Sequence, residues 1–376
     1  MPIGLFGRRA KSMVGLDIGT SRVKLVELTA RGASVELTRA AVELTPVDVI
    51  RDGKVVQPEQ VAAVIKKALA AGRFRPGEVV AAIAGQGVVV RHVQFPKMPE
   101  EELREALKWE GQKYIPFPME EAAVDFEIIR GVADPEAANM EVMLVAAQRS
   151  IVDSHLAAIE LAGLRVVAVD VQPFTVLRAL RYEPLGAESP CSAANGVVAY
   201  VDIGAGTTDI VIADGEIIRF TRIVPVGGYS FTRAIADRLG IGFEEAEQIK
   251  IEEARIYEDQ SHLDALDAQS RAIAEAVLET ACAIGTEVRR SLDYHDLQLQ
   301  GRRDDASVSR AVLAGGGSVL DGLDHYLQGE LGLPTSMCDP LRNIAINPKV
   351  ASRLDLDKLG PMLAVGVGLA LREVVD

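Results

Sequence analysis

The stretch VGLDIGTSRVKLVEL, Val14 to Leu28, decides the fold, because AYVDIGAGTTDIVIA, Ala199 to Ala213, repeats its design. Each copy is an apolar run, Asp-Ile-Gly, a small turn carrying hydroxyls, and a second apolar run. The two aspartates, Asp17 and Asp202, stand 185 positions apart. Short apolar runs bounded by glycine turns read as strands, so each copy is a hairpin. In the second strand of the first copy, Val23 and Leu25 alternate onto one side. Working outward, SVELTRAAVEL continues as a third strand. QPEQVAAVIKKALAAG is an amphipathic helix with proline near its start, apolar residues at 61, 64, 65, 68 and 69, and Gly72 at its end. Strands follow at EVVAAIAG and VVVRHVQFP. The helix MPEEELREALKWEGQKYI places three glutamates in its first turn, where the positive end of the dipole favours them. Two strands, a helix, the strand RVVAVDVQ and the helix PFTVLRALRYEPLG complete the first half. EPLGAESPCSAANG, residues 183–196, is rich in Pro, Gly, Ser and Asn and reads as a linker. After it the pattern restarts with three strands, helices through about residue 297, the strand AVLAGG, the helix VLDGLDHYLQGELG and the terminal MLAVGVGLALRE. Two similar α/β halves result, and chance likeness between two common hairpins is the weaker explanation.

Composition narrows the function. The 376 residues suffice for two or more domains, and 48% apolar with 25% charged residues describes a globular chain. A net charge of −14 argues against nucleic acid as the main partner. Three separated cysteines, Cys191, Cys282 and Cys338, suit structural thiols in a reducing compartment. The five histidines (His92, His155, His262, His295, His325) show no zinc spacing and read as ordinary surface or core residues. No apolar run reaches the roughly 20 residues a membrane span needs, so the expected location is cytoplasmic. The N-terminal dodecamer is either a frayed terminus or a surface contact to membrane through Leu5, Phe6, Arg8 and Arg9.

The paired turns suit a polyanion. Glycines at 19, 204 and 206 let the backbone turn tightly and leave amide donors unshielded, a concavity that fits phosphate. Thr20, Ser21, Thr207 and Thr208 add hydroxyls. Lys24 either supplies a cation or points into solvent. Asp17 and Asp202 would repel phosphate alone, and make sense with a Mg²⁺ between carboxylates and phosphate oxygens, reached through retained waters. LAGGGSVLDGL, residues 313–323, is either an ordinary strand–helix turn or a place where bare backbone and a helix N-terminus approach a base or phosphate.

In order and spacing, GLDIGTSRVK, VDIGAGTTD and LAGGGS resemble the phosphate-1, phosphate-2 and adenosine motifs of the actin–Hsp70–sugar kinase superfamily, over essentially the whole chain. The implied fold is α/β, actin-like and two-lobed. FEEAEQIKIEE is similar to the bacterial-actin segment at the nucleotide sugar, which implies that role for Glu247 and Lys250; a solvated charged helix face is the alternative. VDVQPFTVLRAL resembles the first connecting segment, which implies water positioning by Gln172. GPMLAVGVGLAL resembles the second. Residues 86–165 carry a βαββαβ-like insertion placed as in FtsA. Within it PKMPEEELREALKWEGQKYIPFP, with EVRRSLDYH at 287–295, resembles the PilM family of type IV pilus assembly proteins. Trp109, Tyr114 and Phe117 in this stretch otherwise simply pack the small subdomain.

The resemblance implies ATP and Mg²⁺ between the lobes, with Asp17 and Asp202 on hydrated metal. Gly19, Thr20, Ser21 and Lys24 would cradle the phosphates from one side, Gly204, Gly206, Thr207 and Thr208 from the other. Gly315, Gly316 and Gly317 would flank the base or α-phosphate. The implied partner is the N-terminal tail of PilN, held in a groove between subdomains 1A and 1C, with other pilus platform and motor components beyond it and the inner membrane reached through partners. Hydrolysis would be slow. The implied division runs 13–85 (first part of 1A), 86–165 (inserted 1C), 166–196 (1A continued and linker), 197–227 (first part of 2A), 228–306 (2B), 307–345 (2A continued) and 346–376 (return to 1A). An FtsA-like filament protein is the alternative, and the chain's end at LREVVD, without an amphipathic helix, counts against it. A small-molecule kinase would need an acceptor-site Asp or Arg that no segment declares, and an Hsp70-type chaperone would need a further substrate domain.

Overall fold

The structure, a computed structural model, describes residues 11–75, 77–129, 138–182, 196–257, 259–298 and 307–374. All of the expected linker except Gly196 lies outside the described residues, as do Leu5, Phe6, Arg8, Arg9 and Cys191.

The first hairpin forms as expected from β1 (Ser12–Ile18) and β2 (Arg22–Arg31), and β3 (Ser34–Leu44) extends it antiparallel. A two-residue ladder of β4 (Ile50–Arg51) and β5 (Lys54–Val55) precedes α1 (Pro58–Gly72). Every apolar position expected inside α1 is buried, from Val61 to Leu69. The left-handed residue that ends the helix is Arg73, not Gly72. Gly72 is the last helical residue instead, pressed so closely on the Phe74 ring that a Cβ would overlap it. The half continues with β6 (Glu78–Ile83), β7 (Val88–Pro96), α2 (Glu100–Glu110), β8 (Ala122–Ile128), β9 (Asn139–Gln148), α3 (Arg149–Leu161), β10 (Arg165–Val171) and α4 (Gln172–Arg181). The main sheet runs β10-β6-β1-β2-β3, with β1, β6 and β10 parallel. Strand β2 buries both faces: Val23 and Leu25 join one core, Val26 and Leu28 another.

A separate antiparallel sheet, β7-β9-β8, spans Val88 to Gln148, and α2 covers it with Leu103 and Leu107. The last helix and strand of the expected βαββαβ pattern go elsewhere, since β10 pairs with β6 and α3 packs on α1. Phe117 is buried in this small core and Tyr114 packs on Phe95, but Trp109 is 84% exposed.

The main sheet of the second half repeats that of the first, strand for strand. It comprises β11 (Val197–Ile203), β12 (Thr208–Asp214), β13 (Ile217–Val224), α5 (Gly228–Leu239), α6 (Phe243–Glu252), α7 (Gln260–Asp264), α8 (Ala268–Gln298), β14 (Val308–Ala314), α9 (Leu323–Leu331) and β15 (Thr335–Met337). The order β13-β12-β11-β14-β15, with β11, β14 and β15 parallel, matches β3-β2-β1-β6-β10 in sequence and direction. The chain then returns through β16 (Ala345–Ile346), which pairs with β3, and α10 (Pro348–Ala351), α11 (Leu356–Leu359) and α12 (Ala364–Val374). Helix α9 starts at Leu323, four residues later than the sequence pattern indicates. Gly322 stands before it in the left-handed region, and Ile256 donates its N–H to Asp321 across 2.8 Å.

Helix α12 lies on β1, β2 and α4 almost wholly buried. Glycine makes this approach possible. A Cβ on Gly368 would overlap the Thr175 carbonyl, and one on Gly366 would come 2.8 Å from Val26 Cγ2. Alanine favours a helix over glycine by about 1 kcal/mol, but an overpacked core costs about 1–3 kcal/mol or more. Because the overlap is with backbone, the second effect wins. Gly368→Ala is therefore expected to destabilise the chain by roughly 2 kcal/mol; an unchanged or raised denaturation midpoint would contradict this packing.

Candidate functional site

The two Asp-Ile-Gly turns face one another across a cleft of about 1160 Å³ between the lobes. Their closeness is direct, since a Cβ on Gly206 would lie 3.5 Å from Thr20 Oγ1 of the other lobe. Each turn closes in the same way. Gly19 donates its N–H to the Arg22 carbonyl (3.1 Å), and Gly204 donates to the Thr207 carbonyl (2.9 Å). These glycine amides are thus committed to the turns. Between them, the amides of Thr20, Ser21, Ala205 and Gly206 donate to no backbone acceptor among the described residues.

Asp17 ends the buried strand β1 and Asp202 the equivalent strand β11; they are 1% and 7% exposed. Two positions into β2, Lys24 points back into the cleft and sets its ammonium 2.7 Å from Asp17 Oδ2, so the solvent alternative is ruled out. Burial pushes the Asp202 carboxyl up to about 6, the Asp17 charge adding to the rise and Lys24 opposing it. An ammonium has three donors, so Lys24 can hold Asp17 and still reach an anion.

Helix α5 supports the second turn from beneath, its first amides Gly228 and Tyr229 donating to the Gly204 and Ala205 carbonyls. The Tyr229 phenol lies near the Ser21 side chain of the other lobe, which opposes the rise that burial causes in it, and both residues line the cleft. Glu247 and Lys250 also line the cleft, and the solvated-face alternative does not hold. Lys250 spends its donors on Glu247 Oε2 (2.6 Å), Thr232 Oγ1 (3.0 Å) and the Gly228 carbonyl (3.2 Å). Lys250 therefore ties α6 to the start of α5, and Glu247 keeps its second carboxylate oxygen for other use.

Gly315, Gly316 and Gly317 form the third wall. Gly315 must be glycine, because φ is +85° and a Cβ would overlap Asp202 Oδ1. Gly315 and Gly317 donate to the Pro361 and Ile203 carbonyls. The helix that follows them does not adjoin these glycines, because α9 begins six residues beyond Gly317. Gln172, first residue of α4, lines the cleft too. Thr208 does not. It is fully buried and donates its hydroxyl to the Val226 carbonyl at 2.7 Å, since strand alternation turns it away from Thr207.

Sequence reasoning missed His155, Tyr229, Thr232 and Asp209. His155 sits on the buried face of α3 at the cleft wall, with Nδ1 3.0 Å from the Ile151 carbonyl, and burial holds its imidazole below the usual range. On a helix pattern it reads as a core position. Asp209 closes the motif VDIGAGTTD without announcing a role.

Among the described residues no group of three or more His, Cys, Asp or Glu side chains could hold a metal alone. The opposed pair Asp17 and Asp202 fits a Mg²⁺ that keeps waters and takes its other ligands from phosphate. The raised Asp202 carboxyl fits as well, as a group that a nearby cation would ionise.

Asp209 offers a pH test. Its Oδ1 is buried without a hydrogen-bond partner among the described residues. Burial, then the Asp202 charge, push its carboxyl well above the carboxylate range, against a hydrogen bond with Thr207. The folded chain then holds a proton that the unfolded chain releases, so this group lowers stability progressively as pH rises from about 4. Asp209→Asn is expected to gain urea resistance over the unsubstituted protein between pH 5 and pH 8; a difference independent of pH would contradict the assignment.

Comparison with known proteins follows the same lines. The family model for type IV pilus assembly protein PilM matches residues 15–374. A solved PilM-PilN type IV pilus biogenesis complex superposes with a TM-score of 0.81 and 32% identity, over 96% of this chain and 98% of that one. Cell division protein FtsA of Bacillus subtilis is 24% identical, over 95% of this chain and 82% of its own length. MreB5 of Spiroplasma citri, solved bound to ADP, shares the actin-like fold with a TM-score of 0.52 and 16% identity, over 97% of each chain. The chain belongs to the PilM family of type IV pilus assembly proteins.

Proposed function

We propose that this chain is an ATP·Mg²⁺-binding adaptor that holds the N-terminal tail of PilN for the inner-membrane platform of the pilus. The observation that carries the nucleotide half is the single cleft walled by both Asp-Ile-Gly turns and the three-glycine turn. Asp17 and Asp202 would hold the hydrated metal. Lys24 and the amides of Thr20, Ser21, Ala205 and Gly206 would meet the phosphates. Glu247, kept in place by Lys250 and Thr232, would meet the ribose, and Gly316, with nothing nearer than Met362, would lie against the base. Gln172 would orient water. An amide is no proton acceptor at neutral pH, so turnover would rest on positioning and be slow.

The partner half rests on the likeness to the PilM-PilN complex and on a second groove of about 1170 Å³. Its walls are the β2–β3 turn, the outer face of β8 and β9, helix α4, and Tyr200 and Arg310 of the second sheet. Asp125 and Glu127 line one side; Arg178, Arg181 and Arg310 line the other. Apolar Phe174, Leu177 and Val145 lie between, a pattern suited to an extended segment held by a few apolar anchors and polar rims. In this reading the inserted subdomain closes at Gln148, because α3 and β10 pack with the first sheet. Attachment to the membrane would run through partners; no described helix is long and apolar enough to cross it.

Calorimetry with a synthetic PilN tail is expected to show one peptide bound per chain. Phe174→Ala should weaken it by about tenfold, the loss of one apolar anchor. Absence of binding with and without ATP would overturn the adaptor reading, and ATP-dependent sedimentation would favour an FtsA-like filament protein instead.

A further inference from the structure

We infer that the tail held in the second groove adds to the free edge of β10 as a strand, through main-chain hydrogen bonds to Val169. The inference rests on the partner half of the reading above and names how that partner is held.

Each of the three larger sheets has two end strands, and most of these are short or covered. Strands β15 and β16 have three and two residues. Strands β7 and β13 lie against each other, Thr221 donating its hydroxyl to the Val90 carbonyl at 3.2 Å. That leaves β8 and β10, of seven residues each. Both border the second groove, β8 through Asp125, Phe126 and Glu127, and β10 through Val169, Asp170 and Val171. Side chains alternate along a strand, so three neighbours in sequence line one groove only where the main-chain edge faces it. An open edge of this kind is a template for another strand.

Hydrogen bonding fixes which groups β10 leaves open. Along a ladder, alternate residues turn both N–H and C=O to the neighbouring strand, and those between turn both outward. The Arg165 N–H meets the Gly77 carbonyl, just before β6, at 3.0 Å. A bulge between Val166 and Ala168 then shifts the count by one. Ala168 and Asp170 therefore face β6, while Val169 and Val171 face outward. The Val171 N–H agrees with this parity, since it bonds Asp170 Oδ1 at 2.8 Å. Val169 keeps both outward groups without a bond outside the ladder among the described residues. On the other wall, the Phe126 N–H bonds Asp125 Oδ1 (2.9 Å) and the Ala122 carbonyl accepts from Arg149 (2.8 Å), so the same parity turns the Phe126 carbonyl outward from β8. These blocks confer specificity. The bulge before Val169 and the occupied N–H after it confine pairing to one rung, which holds a short segment in a single register. Alternate side chains of that segment share one face, for which Phe174 and Leu177 of α4 supply apolar contacts. A peptide held by main-chain pairing, with pockets for alternate side chains, is a recurring mode of recognition.

The test uses the full chain and a synthetic PilN tail. Val169→Pro removes the outward N–H and leaves the ladder to β6 its bonds, the setting in which an edge strand accepts proline. Val169→Thr keeps the N–H and the branched shape. Calorimetry should show the tail weakened about tenfold by Val169→Pro, as for loss of a main-chain hydrogen bond, and by no more than about threefold by Val169→Thr. Residue-resolved amide hydrogen exchange on the unsubstituted chain covers the case in which the proline variant does not fold: saturating tail should slow the Val169 amide. Unchanged affinity in Val169→Pro, equal losses in both variants, or a Val169 amide that exchanges at the same rate with the tail bound would overturn strand addition and leave the adaptor reading standing. A tail that does not bind the unsubstituted chain would overturn both.

Discussion

Two buried carboxylates opposed across a cleft, with one ammonium between them, are the constraint around which this molecule is organised. Removing a carboxylate from water costs several kcal/mol unless counter-charge or hydrogen bonds replace the lost hydration. Asp17 has Lys24 at 2.7 Å, whereas Asp202 feels Lys24 only at longer range, and its carboxyl rises to about 6. In the proposed reading, a bound cation would supply the counter-charge that Asp202 lacks. Duplication of one five-stranded unit explains how the arrangement arises, because the same strand end in each copy delivers the same aspartate to the shared cleft.

The rest of the fold holds those strand ends in register. Helices α4 and α12 meet at the Gly368–Thr175 contact, and each begins in the cleft and ends at the second groove. Gln172 and Val365 face the first site; Arg178, Arg372 and Val374 face the second. Asp170 gathers this far end, accepting hydrogen bonds from Val171 N–H (2.8 Å) and Arg178 (3.0 Å) and pairing with Arg372 at 3.3 Å. The two grooves thus draw on opposite ends of the same two helices.

Much of this was legible in the sequence. The repeated Asp-Ile-Gly hairpins predict a duplicated α/β architecture, and the strand orders match. Every expected site residue but Thr208 lines the cleft, because motif spacing fixes which turn a residue occupies. What spacing does not fix is where each polar group is spent. The amides of Gly19 and Gly204 close their own turns, and the Thr208 hydroxyl bonds a neighbouring carbonyl. His155 and Tyr229 belong to elements that meet the site only through tertiary packing, so no local pattern marks them. Strand β2 departs from simple alternation because α12, almost 340 residues later in the chain, covers its second face.

The most direct measurement is ATP affinity with and without Mg²⁺ for the unsubstituted chain, Asp17→Asn and Asp202→Asn. Asparagine keeps the shape of each side chain and removes its charge. If the opposed carboxylates hold the metal, Mg²⁺ strengthens ATP binding to the unsubstituted chain and each substitution abolishes that gain. If either variant keeps the full Mg²⁺-dependent affinity, the two turns do not share a metal-bound nucleotide and the account fails.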